Sequence, residues 1–165
     1  MRYPIVNKGV TMSELPGEVA VFFEVGNCTV GCPGCHSPHL SKEIFHKPLW
    51  THFSDIAEYA LNEKKRGATA IVVMGGTSNG LKDGALWFLL GLLSRILPVG
   101  LYCGDIELGS PKAQVMMATW SQLTWLKLGA YMEDRGGMNK SNSNQRLLKR
   151  NPNGTWSEMT HKFWR

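Results

Sequence analysis

Three thiols lie within one short stretch of this chain, Cys28-Thr29-Val30-Gly31-Cys32-Pro33-Gly34-Cys35, at C-x3-C-x2-C spacing. Thiolates are the ligands of iron–sulfur clusters and of other soft metal centres. A [4Fe–4S] cube ordinarily takes four of them. Three leave one iron without a protein ligand, open to a small molecule. The spacing therefore predicts a [4Fe–4S] cluster on Cys28, Cys32 and Cys35 with one free coordination position. Cys103, about 70 residues further on, stands apart from the triad. A fourth protein ligand would close the open iron, so Cys103 is read as a small buried hydrophobe.

Two other uses of the cysteines compete with this one. Disulfides need an oxidising compartment, and Met1 to Val10 lacks the apolar core of a secretory signal. Zinc is the more serious rival, because His36 or His39 would complete a Cys3His tetrahedron. Structural zinc sites usually draw their ligands as two separated pairs, and no second C-x2-C or H-x3-H pair follows.

The elements that must position the cysteine loop are legible around it. Val19 to Val25, immediately before it, is an apolar run that reads as a buried strand. Thr51 to Arg66 places Phe53, Ile56, Ala57, Ala60 and Leu61 on a helical stripe that ends at Gly67. Ala68 to Met74 is β-branched, of the kind buried in parallel sheets, and stops at Gly75-Gly76. Asp83 is the expected N-cap of a second helix, which carries Leu86, Leu89, Leu90, Leu93 and Leu97 and stops at Pro98. Trp87, Phe88 and Leu92 widen that stripe, which predicts cover on more than one side. Val99 to Cys103 is a third strand. Ser110-Pro111 opens a short helix through Ala118, and Leu123 to Leu128 is a fourth strand. Gln145 to Arg150 and Thr155 to Trp164 flank Asn151-Pro152-Asn153-Gly154, a hairpin signature.

Strands alternating with helices imply right-handed crossovers and a mostly parallel sheet. A closed eight-stranded barrel takes about 250 residues, more than the 165 present. The expected fold is α/β: one domain over 1–165, a partial, open β/α barrel with a C-terminal β-hairpin. The loops Cys28–Cys35, Gly75–Gly80 and Gly104–Gly109 then converge at the carboxyl ends of the strands, where such folds do their work.

The bulk properties set limits. No apolar run is long enough to span a bilayer, so no membrane partner is expected. The formal charge of +5 is uneven: from Arg135 onward seven Lys or Arg face one acid, leaving residues 1–134 at −1. A basic tail suits an acidic partner or phosphate, or is a solvated surface around the hairpin. No nucleic-acid reader motif accompanies it, so no nucleic acid is expected.

The cysteine motif, following a first strand in an α/β chain, resembles the signature of the radical S-adenosylmethionine enzymes. The resemblance implies that the open iron binds the methionine moiety of S-adenosylmethionine, whose one-electron cleavage yields a 5′-deoxyadenosyl radical. It also implies contacts to that cofactor from Gly34, Cys35 and His36 and from Gly75-Gly76-Thr77, with no catalytic residue beyond the cluster. The superfamily usually has an acid where this chain has Thr77; glycines there let the backbone approach a ligand closely. Cys35-His36-Ser37-Pro38, Gly100 to Leu108, Leu126 to Glu133 and Ser143-Asn144-Gln145-Arg146-Leu147 together resemble the activating proteins of anaerobic ribonucleoside-triphosphate reductases. That family often has tyrosine where His36 stands. The resemblance runs from the cysteine loop to about Leu148. It implies a cytoplasmic oxidoreductase that makes a glycyl radical on the large reductase subunit, with an electron donor such as flavodoxin or ferredoxin. Asp105 and Lys127, ionisable groups near strand ends, would touch ribose hydroxyls or the methionine carboxylate on the same reading, but each reads equally as a surface residue or half of an ion pair, and neither is taken as a site residue. The alternatives are a radical enzyme acting on a small molecule, such as a deazapurine-type synthase, and a non-catalytic metal-binding interaction module.

Overall fold

The structure is a computed structural model that describes residues 1–41 and 50–164. Eight strands form one open sheet: β1 (Arg2–Thr11), β2 (Ala20–Val25), β3 (Trp50–His52), β4 (Ala70–Met74), β5 (Val99–Cys103), β6 (Leu123–Leu128), β7 (Arg146–Arg150) and β8 (Trp156–Glu158). Their spatial order is β3-β1-β2-β4-β5-β6-β7-β8. The central four, β2, β4, β5 and β6, run parallel. The flanking pairs at both sides are antiparallel. The chain is thus α/β with a mixed sheet.

Three helices connect the parallel strands: α1 (Phe53–Lys65), α2 (Ala85–Ser94) and α3 (Pro111–Thr119). All three pack on one face of the sheet. Ile56 and Ala60 of α1, Leu89, Leu90 and Leu93 of α2 and Ala113 and Met116 of α3 share one core with Val21, Phe23, Ile71, Val73, Leu101 and Leu126. Burying a leucine of this kind stabilises the fold by about 1.5–3 kcal/mol, and the three α2 leucines are fully buried. The other face carries a smaller cluster. There Leu15 and Met138 from loops, with Met159 and Phe163 from the C-terminal turn, cover Ala20, Ala70, Val72 and Trp125.

The expected strands and their order along the chain stand, and so does the hairpin, whose second arm shortens to three residues before a 3-10 turn at Thr160–Phe163. Ser110 caps α3, its hydroxyl accepting from the Ala113 amide, with Pro111 in the first turn. Three readings need correction. The stretch from Thr51 is not all helix: Trp50–His52 pairs with β1, and the His52 ring caps α1 by accepting from the Ser54 amide. Gly84, at φ 76°, not Asp83, occupies the N-cap of α2, with no side-chain cap. That helix is covered on one side only, since Trp87 and Phe88 are 55% and 39% exposed. Among the described residues, no helix is long and apolar enough to cross a membrane.

Candidate functional site

The cysteine loop leaves the carboxyl end of β2 and is fastened at both ends by main-chain bonds. Cys28 donates its amide to Leu40 O at 2.8 Å, and Thr29 gives both its amide and its hydroxyl to Ser78 O beyond β4. Within the loop, Cys35 N reaches Cys32 O at 3.2 Å, closing a turn over Pro33-Gly34. Proline followed by a glycine at φ 67° suits a type II turn, whose third position needs a positive φ. It brings Cys32 and Cys35 to the same side.

Cys28, Cys32 and Cys35 are free, half-buried, and line a single cavity of about 190 Å³. Its remaining wall comes from the ends of all four parallel strands: Val25, Met74, Gly75, Tyr102, Gly104, Lys127 and Gly129. The three expected loops do meet at one edge. Burial pushes the Cys32 thiol up, and the neighbouring Cys35 and Cys28 charges add to that, while a hydrogen bond from the Tyr131 amide works the other way. The thiols are therefore close enough to feel one another. They stand around the cavity instead of converging on a point: among the described residues, no three His, Cys, Asp or Glu are grouped to hold a metal ion. His39 is engaged by Glu24 at 3.0 Å, and the His36 ring lies on that of Tyr131 with centroids 4.2 Å apart. A Cys3His zinc tetrahedron is thus not assembled. Three thiols lining one cavity are the kind of donor that a [4Fe–4S] cluster takes.

The six positions expected to touch a cofactor divide in two. Cys35, His36 and Gly75 line the cavity. Gly34, Gly76 and Thr77 do not. A side chain at Gly34 would meet the Glu133 carboxyl at 3.0 Å. Gly76 is buried at φ 121°, and a Cβ there would lie 2.7 Å from Leu86, on the helix side of the sheet. The Thr77 hydroxyl donates to Asp105, whose other oxygen is 3.4 Å from Lys112. Cys103 is 2% exposed, and burial pushes its thiol up to about 12. It is the buried hydrophobe expected, although it also lines the cavity wall.

Several residues carry more than the sequence reading assigned them. Asn79, 3% exposed, accepts from the Gly76 amide and donates to Val25 O and Gly26 O, bolting the Gly75-Gly76 turn to the end of β2. No sequence signal marked it. Asn144 donates to Ala130 O at 2.9 Å and Gln145 reaches Gly129 O at 3.4 Å, so the Asn-Gln-Arg stretch braces the turn that leads to Tyr131. Lys127 projects from β6 into the wall shared with a second cavity of about 350 Å³, on the face opposite the helices. Its Nζ lies 4.5 Å from the Tyr102 ring centroid, and among the described residues no carboxylate reaches ion-pair distance. Burial lowers its pKa, with the Glu14 and Cys35 charges opposing that. A lone charge inside the apolar run Leu123 to Leu128 was its signal.

Comparison of the chain with protein-family models, with curated proteins and with solved structures finds no match in any of the three.

Proposed function

We propose that this chain is an iron–sulfur enzyme of the radical S-adenosylmethionine type that generates a glycyl radical on the large subunit of an anaerobic (class III) ribonucleoside-triphosphate reductase. The observation that carries the reading is the ring of three free, half-buried cysteines, at C-x3-C-x2-C spacing, around one cavity at the carboxyl edge of four parallel strands. On this reading the open sheet is a partial β/α barrel. Cys28, Cys32 and Cys35 hold the [4Fe–4S] cluster, and a donor such as reduced flavodoxin or ferredoxin is its electron source. The chemistry supplied with the cluster bound is one-electron cleavage of the sulfonium of S-adenosylmethionine, whose 5′-deoxyadenosyl radical takes a hydrogen atom from the glycine α-carbon. The chain's own residues bind, orient and keep the site dry. Lys127, a cation without an anionic partner in reach, anchors the methionine carboxylate. Val25, Val30, Leu40 and Met74 supply apolar wall, which excludes water from a reactive radical. Gly75 presents main chain where a ligand passes. Thr77 gives its hydroxyl to Asp105, so its side chain is not offered to the ligand.

The test is anaerobic reconstitution with iron and sulfide, followed by reductant, S-adenosylmethionine and the candidate reductase, read by electron paramagnetic resonance. The expected result is one [4Fe–4S] cluster, lost on changing any of Cys28, Cys32 or Cys35 to Ala and kept in Cys103→Ala. A glycyl radical doublet should follow on the reductase. Stoichiometric zinc in a colourless protein, or conversion of a small metabolite with no radical on any reductase, overturns the reading.

A further inference from the structure

Each ring of the His36–Tyr131 pair sits beside a main-chain amide directed at a cysteine sulfur. The amide of Ser37, next after His36, donates to Cys35 Sγ at 3.3 Å. The amide of Tyr131 itself donates to Cys32. The two rings come from opposite sides of the cavity, one from the cysteine loop and one from the turn after β6. They meet at 4.2 Å between centroids with 42° between planes, and both line the cavity. The turn bearing Tyr131 is held from behind by Asn144 and Gln145.

Resting on the function proposed above, we infer that His36 and Tyr131 are positioning residues whose ring contact sets the reduction potential of the cluster, by holding two N–H groups on Cys32 and Cys35 sulfur. Hydrogen bonds to cluster sulfurs stabilise the more electron-rich, reduced state and so raise the potential. Neither side chain touches a reacting atom. The contact is a matter of ring packing. A phenyl ring at 131 preserves it; a methyl group does not.

The experiment uses the reconstituted full-length protein in two arms. In the first, the cluster is titrated potentiometrically and followed by electron paramagnetic resonance in wild type, Tyr131→Phe, Tyr131→Ala, His36→Ala and the double alanine variant. Tyr131→Phe should titrate with wild type. Each alanine variant should move to a more negative midpoint, and the double variant no further than the larger single shift. In the second, hydrogen exchange of the Ser37 and Tyr131 amides is measured on the cluster-free protein, where each alanine variant should exchange at least tenfold faster. This arm stands even for a variant that fails to load a cluster. Unchanged midpoints and unchanged exchange overturn the inference while leaving the function intact. A wild-type protein that takes up no cluster overturns the function itself, and with it the potential assigned to this contact.

Discussion

Lys127 brings a positive charge into a wall of thiols and apolar side chains, and its sign governs what that wall can hold. Burial lowers its pKa, so the cation is present below the lowered value and is lost as pH climbs through it, short of the ordinary lysine range. An anion seated on it is therefore held best at the lower pH, and in turn draws the pKa back up. S-adenosylmethionine affinity, measured anaerobically on the cluster-loaded protein, should weaken with rising pH. Lys127→Met should lower it about tenfold to a hundredfold, the scale of a hydrogen bond to a charged group, and flatten that pH limb. A variant that keeps the wild-type profile would show that another group anchors the carboxylate. Gly76 makes a different case: it was expected beneath the cofactor, and a Cβ there would lie 2.7 Å from Leu86. An L side chain at φ 121° is strained, by about 1–2 kcal/mol on the scale of left-handed backbone. Gly76→Ala should lower stability by at least that amount in denaturant unfolding, while the folded fraction binds S-adenosylmethionine as wild type does.

At the scale of elements, the site is an arrangement of strand ends, and Asn79 is the bolt between two of them. Its amide makes three hydrogen bonds with main-chain groups of β2's end and the β4 turn. Asn79→Ala leaves those groups unpaired in a buried place, at about 1–3 kcal/mol each where water cannot replace the partner. Asn79→Asp keeps the acceptor but sets a carboxylate against two carbonyls, and should be worse than alanine in thermal unfolding. If Asp is instead the milder change, the amide is not what joins the strands. The parallel core was legible because β4 and β5 are buried on both faces, which demands continuous apolar runs such as Ala70–Met74 and Val99–Cys103. β1 was not: Asn7, Lys8 and Gly9 interrupt it, since its second half is half-buried or exposed, and Pro4 argues against a strand. α2 misled for a related reason. Its Trp87 and Phe88 read as cover-seeking, yet Trp87 stays more than half exposed and Phe88 meets only the edge of Phe53, and pattern alone does not say which apolar face meets a neighbour. In the site, the cysteines and their shared edge were readable from spacing and topology. Asn79, Tyr131 and the bracing role of Asn144 and Gln145 were not, because each acts through main-chain partners distant in sequence.

At the scale of the whole molecule, the thiol cavity and the second cavity are neighbours that share Lys127, Tyr102, Met74, His36 and Gln145. Below them, Leu15, Met159 and Phe163 fill the face opposite the helices, so approach is from the open carboxyl edge. Three of the seven cations in the basic tail are engaged within the fold. Arg146 pairs with Glu158, Lys149 lies over the Trp125 ring, and Arg150 donates to Leu123 O, Met117 O and Trp120 O. Those cations secure the hairpin to α3 and β6 and are poorly placed to recruit an acidic partner or phosphate. Recognition of the proposed partner then rests on the cavity rim, and specificity on seating one glycine α-carbon beside the nascent radical, since orientation supplies much of the barrier reduction. A reductase whose target glycine is replaced by alanine should still associate with this chain, with the dissociation constant changed less than threefold in anaerobic gel filtration or calorimetry. It should give no doublet in electron paramagnetic resonance, because an alanine α-carbon that gives up its one hydrogen keeps none to split the signal. Loss of association together with the doublet would mean that the glycine segment itself is the docking element. Retention of the doublet in the alanine variant would place the radical elsewhere and remove the glycyl assignment.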